Sequence, residues 1–79
     1  MRPEIEQFAE EMEEFMQKHG AEKGDSWKLM PLHDLVNGLL REVDEFHYAE
    51  SNYDAMKECV DIANFCMMLW HRYKQEASK

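Results

Sequence analysis

Residues 42–61, EVDEFHYAESNYDAMKECVD, hold two carboxylate pairs, Glu42/Glu45 and Glu58/Asp61, each with a spacing of three. That spacing puts both members of a pair on one side of a helical turn. Between the pairs, Ser51-Asn52-Tyr53-Asp54 supplies turn and helix-start chemistry. A chain folded between residues 51 and 52 sets Glu42 against Asp61 and Glu45 against Glu58. Four acids then meet in one layer between two antiparallel helices. Each like-charge contact at ~4 Å, with an effective dielectric of ~20, costs about 4 kcal/mol. A fold holds such a layer only with bound cations or retained protons, and a divalent metal site is the simplest solution.

The flanking residues support the two helices. Leu32, Leu35, Val36, Leu39, Leu40, Val43 and Phe46 form an apolar stripe over 31–50, opened by Pro31. Met56, Val60, Ile62, Ala63, Cys66, Met67, Leu69 and Trp70 cover more than one face of the next helix, which runs to about Tyr73. That helix is therefore expected to be central and to meet a partner chain as well. The polar tail from Lys74 is expected to fray. The same hairpin register sets Gly38 opposite Phe65, where a missing side chain makes room for the ring.

Upstream, Ile5, Phe8, Met12, Phe15 and Met16 predict an amphipathic helix over 3–19, its glutamates a solvated face, with Gly20 as its stop. Residues 20–31, GAEKGDSWKLMP, read as a loop that gathers Lys23, Trp27 and Lys28.

Seventy-nine residues make one domain, residues 1–79, close to the lower size limit for a self-sufficient core. The fold class is all-α: a helical bundle whose wide apolar stripes are completed by oligomerisation, as a homodimer or homotetramer. Seventeen acidic against nine basic residues give a net charge of -8, with no basic track for polymeric nucleic acid. A nucleotide remains an accessible partner if metal ions bridge the charges. The longest apolar run, Phe65 to Trp70, is too short to cross a membrane. Cys59 and Cys66 lie in one helix without a CxxC spacing, which suits structural thiols in a reducing cytosol and a cytoplasmic protein.

All four acids are oxygen donors, which favours Mg²⁺ or Mn²⁺ over zinc. No histidine follows any of them at the Glu-x-x-His spacing of di-iron bundles. His33 and His47 point away from the acidic face and read as surface residues.

Glu42-x-x-Glu45, twelve intervening residues and Glu58-x-x-Asp61 together resemble the motif of the MazG-like all-α NTP pyrophosphatases. The run Glu58-Cys59-Val60-Asp61-Ile62-Ala63-Asn64-Phe65-Cys66-Met67-Met68 is similar to the third helix of one branch of that superfamily. Lys23-Gly24-Asp25-Ser26-Trp27 is similar to that branch's loop. The likeness spans roughly residues 20–70.

The resemblance implies an oligomeric hydrolase that converts nucleoside triphosphates to monophosphates and pyrophosphate, in nucleotide-pool house-cleaning. By it, Glu42, Glu45, Glu58 and Asp61 hold Mg²⁺, for which Mn²⁺ substitutes. Asn64 contacts sugar, phosphate or base, Lys23 and Lys28 hold the triphosphate, and Trp27 encloses the base or shapes the pocket. Many relatives carry an acid just before the first glutamate; Arg41 stands there in this chain, leaving Glu42 or Glu45 as the nearest general bases. Arg72 or Lys74 is the expected substitute for basic residues that longer relatives supply from a C-terminal helix. Two other readings share these residues. A phosphoribosyl-ATP pyrophosphatase typically has a histidine soon after its aspartate, where this chain has Asn64-Phe65. A non-catalytic helical module would bind metal or oligomerise alone.

Overall fold

The computed structural model describes the backbone of residues 1–79 and the side chains of residues 1–19 and 24–79. The chain is all-α, with α1 over Pro3–Lys23, α2 over Leu32–His47 and α3 over Asn52–Ala77. One 3-10 turn, Ser26–Lys28, lies between α1 and α2. None of these helices is long and apolar enough to cross a membrane.

Local chemistry fixes the helix ends. Gly24, at φ 59, sits in the left-handed region that glycine enters without strain and closes α1. The stop therefore falls at the second glycine of the segment, not at Gly20. Pro31, at φ -56 and ψ 139, precedes the first residue of α2, and Asp34 adds negative charge to that helix's first turn. Ser51 is extended, and its Oγ accepts from the Asp54 N–H at 3.0 Å, capping α3. Such a cap stabilises a helix by about 1 kcal/mol. α2 ends at His47, short of the expected residue 50, so the turn occupies residues 48–51 and Ser51 supplies the helix start that the sequence suggests. At the far end α3 continues to Ala77, past Lys74 where the tail was expected to fray.

α3 is the central helix and packs against both α1 and α2. The buried apolar core is small, comprising Trp27, Leu35 and Leu69, with Met16, Leu39, Phe65 and Met68 among the partly buried side chains around it. Arg72 pins the interhelical segment to α3: its Nη1 donates to the carbonyls of Trp27 at 2.9 Å and Met30 at 2.6 Å. Charge-assisted bonds of this kind are the stronger ones. They hold the Trp27 segment where its indole can complete the core.

The α2–α3 register matches the pairing read from the sequence. A Cβ built on Gly38 would lie 2.5 Å from Cε1 and 2.6 Å from Cζ of Phe65. Glycine suits this position because the Phe65 ring occupies the space of a side chain and would have to move to admit one. Gly38→Val should therefore destabilise the fold by about 1–3 kcal/mol through overpacking. Urea denaturation should show that loss, and Phe65→Leu in the same chain should recover part of it.

Candidate functional site

The register brings Glu42 of α2 onto Glu58 and Asp61 of α3. One ligand oxygen from each of the three lies within 4.8 Å of the others. Asp61 is buried, while Glu42 and Glu58 are half-buried. Glu45 is exposed at the rim and touches the cluster through Glu42. The four-acid layer is thus an inner triad, with Asp61 buried, and an outer fourth carboxylate.

Lys57 lies alongside this triad. Its Nζ is 3.4 Å from Asp61 Oδ2 and 3.6 Å from Glu58 Oε1. The opposing oxygens, Asp61 Oδ1 and Glu58 Oε2, are buried without a hydrogen-bond partner, and so is Glu42 Oε2. Each acid therefore keeps one desolvated oxygen that no protein donor meets. Three hard oxygen donors in this state fit a divalent cation such as Mg²⁺ or Mn²⁺.

The titration chemistry follows from the same crowding. Burial, hydrogen bonds with Glu58 and Glu45, and the charges of Asp61 and Glu45 push the Glu42 carboxyl from 4.5 up to about 8. Burial also raises Asp61; the Lys57 charge opposes that rise and Glu58 adds to it. Lys57 is held above its ordinary value, chiefly by Asp61. Two ionised carboxylates cannot hydrogen-bond each other, because both only accept. A proton on Glu42 supplies the missing donor.

Beside the triad a cavity of about 310 Å³ opens between the three helices. Glu42, Asp61 and Arg41 lie on its lining; Gly38 and Phe65 contribute to a wall, and Trp27 and Asn64 also face it. Asn64 is 1% exposed. Its Nδ2 donates to the Met12 carbonyl of α1 at 3.3 Å, which fixes the amide and leaves Oδ1 buried and unpartnered. Trp27 Nε1 is likewise buried and unpartnered. All five orphaned side-chain atoms found among the described residues belong to the triad or to these two cavity residues. The indole also meets His71 edge-on, with ring centroids 5.7 Å apart.

The other sequence-derived candidates separate. Lys28 does not line this cavity; it pairs with Asp25 at 3.2 Å, and its Nζ stands 5.6 Å from the Trp27 ring centroid. Lys23 lies outside the described side chains. Arg72 is engaged with the Trp27 and Met30 carbonyls, and Lys74 sits over the Trp70 ring. His33 and His47 are exposed, away from the triad.

Two contributions escaped the sequence reading. Lys57 stands four residues before Asp61, a helical ion-pair spacing that could have flagged it. Phe15 and His19 of α1 stack with centroids 4.1 Å apart and line the cavity, again with a spacing of four. Nothing in the sequence ties α1 to Asn64, because the bond runs to a backbone carbonyl.

Comparison with known families, curated proteins and solved structures finds no match to the chain.

A pH prediction follows from Glu42. Its folded value of about 8 exceeds the ordinary 4.5, so its contribution to stability is complete below about 4.5 and is lost as pH rises through about 8. In chelator, the wild-type Tm should fall across that window relative to Glu42→Gln, which carries no titrating group there. Added Mg²⁺ should raise the wild-type Tm most at the upper end, because binding requires the carboxylate. Parallel profiles for the two proteins in chelator would remove Glu42 from the triad.

Proposed function

We propose that this chain is a Mg²⁺-dependent nucleotide pyrophosphohydrolase, converting a nucleoside triphosphate and water to the monophosphate and pyrophosphate. The observation that carries the reading is the acidic triad with one orphaned oxygen per acid, two of whose members, Glu42 and Asp61, line a cavity also lined by Trp27 and Asn64, each of which holds an orphaned polar atom. A triphosphate tail suits the first group and a nucleobase or sugar the second. The MazG-like motif across Glu42–Asp61 points to the same chemistry.

The residues divide the work by their chemistry. Glu42, Glu58 and Asp61 would hold the cation, with Glu45 joining from the rim. Bound Mg²⁺ supplies the charge that draws a polyanion to an acidic chain and lowers the pKa of a coordinated water. Glu42 and Glu45 are the proton acceptors nearest the cluster, and Glu45 has the solvent access to pass a proton onward. Arg41, on the cavity lining, is a phosphate partner where relatives carry an acid. The Trp27 N–H donates to an acceptor on the base, and Asn64 Oδ1 accepts from a donor on base or sugar. Phe15, His19 and Phe65 exclude water from that end.

A non-catalytic metal-binding module is the second reading, favoured by the placement of Lys28 and Arg72 on other partners. Pyrophosphate release from a panel of NTPs and dNTPs, damaged bases included, separates the two. The hydrolase should release pyrophosphate with Mg²⁺ or Mn²⁺. Glu42→Ala and Asp61→Ala should each lose more than about 100-fold, since even residues supporting a ligand are worth 10–100-fold. No release by folded protein that shows a Mg²⁺-dependent Tm rise would establish the module instead.

A further inference from the structure

The acidic triad has a resident cation. Lys57 stands next to Glu58 and one helical turn before Asp61, and its Nζ lies 3.4 Å from Asp61 Oδ2 and 3.6 Å from Glu58 Oε1. Among the described residues no other lysine or arginine forms an ion pair with these acids. Lys57 takes one oxygen of each α3 acid and leaves the other, Asp61 Oδ1 and Glu58 Oε2, buried without a partner. Asp61 as a whole is only 6% exposed. An ion held by the orphaned oxygens therefore need not displace the lysine, and two cations would share one cluster.

Two roles are open to a lysine so placed, and they have opposite effects on metal affinity. By aiming the carboxylates it would strengthen binding; by its charge it would repel the incoming ion. The geometry decides between them. Charge-assisted bonds that fix a carboxylate run about 2.7–2.9 Å. The Lys57 contacts, at 3.4 and 3.6 Å, are longer than that. Its side chain is also 56% exposed, and an ammonium on a flexible stem is a point charge without the planar fork that orients a carboxylate. We infer that Lys57 acts here through its charge: it stabilises the triad while no metal is bound and weakens the binding of Mg²⁺, and so sets the Mg²⁺ concentration at which the site loads. That role rests on the triad being the cation site proposed above, but not on the hydrolysis the site would serve. A dication and an ammonium ~6 Å apart repel by an amount worth about tenfold in affinity, even at the dielectric of water, ~80. Salt screening lowers that figure, because Lys57 is open to solvent.

Calorimetric titration of the full chain with Mg²⁺ alone, at low salt and at a pH above the Glu42 value of about 8, tests this role. There the Glu42 proton is largely gone, and its release does not mask the charge effect. Lys57→Met keeps most of the stem and Lys57→Gln keeps a hydrogen-bond donor, yet both lose the charge. Each should bind Mg²⁺ at least about 3-fold more tightly than wild type. In chelator each should melt below wild type, and its Mg²⁺-dependent rise in Tm should be the larger. Lys57→Arg should restore the wild-type affinity, and added NaCl should narrow the gap between Lys57→Met and wild type. Circular dichroism should show all three variants helical, since the lysine stands on an exposed part of α3. Equal or weaker Mg²⁺ binding by the two neutral variants, with wild-type binding intact, would overturn the charge role. A wild type that takes up no Mg²⁺ would remove the cation site itself, and the role of Lys57 with it.

Discussion

The mutual repulsion of Glu42, Glu58 and Asp61 is the constraint around which this small fold is arranged. At ~4 Å and an effective dielectric of ~20, one such contact is worth about 4 kcal/mol, a large part of a typical domain's 5–15 kcal/mol of stability. The triad forms because α2 and α3 meet at Gly38 and Phe65, where the absence of a side chain on one helix admits the ring of the other. Without metal, two devices relieve the strain. Lys57 neutralises one side of the cluster, and a proton retained on Glu42 gives the carboxyls a donor to share. Both devices leave one buried oxygen per acid unmet, and the three acids stand close enough together to fit a divalent cation.

The cavity depends on a second arrangement, which reaches it from farther away. Arg72 is distant from the acids in function but decisive for the tryptophan. By holding the Trp27 and Met30 carbonyls it fixes the segment before α2, so that the indole both fills the core and lines the cavity. Asn64 does the corresponding work for α1. One end of its amide ties down the Met12 carbonyl, and the other remains free for a ligand. A substitution at Arg72 or Asn64 would thus disturb the fold and the pocket together, which makes either a poor choice for dissecting function.

The three-helix order and the meeting of Glu42 with Glu58 and Asp61 were legible in the sequence, because helical spacing and hairpin register are arithmetic properties of the chain. Glu45 shows where that arithmetic stops. Members of an i, i+3 pair diverge by about 60° around the helix, so tight packing can bury one and leave the other at the rim. Helix ends were less legible. Gly20 and Gly24 are equivalent on paper, yet α1 closes at Gly24, the one with positive φ. The start of α3 was the exception: Ser51, in a segment read as turn and helix start, caps the helix by accepting from the Asp54 N–H. The place of α1 beside the cavity was not legible at all, since it rests on a contact to a backbone carbonyl 52 positions from Asn64. Lys28 illustrates the converse: its nearness in sequence to Trp27 does not carry its charge into the cavity, because Asp25 holds it three residues away.

The two faces of α3 also differ energetically. A chain below ~80 residues rarely draws more than ~3–5 kcal/mol from its core, and here the buried apolar side chains are Trp27, Leu35 and Leu69. Yet the same helix buries Asp61 and Asn64, polar groups whose desolvation opposes folding. Each apolar side chain of ordinary size contributes about 1.5–3 kcal/mol when removed from water. Met56, Trp70 and Tyr73 of the same helix stay exposed and add nothing to that core. The desolvation of Asp61 and Asn64 is therefore offset by a core of three side chains, and relief of the acidic repulsion, by Lys57 and by a proton on Glu42, weighs heavily in the stability of a chain this small.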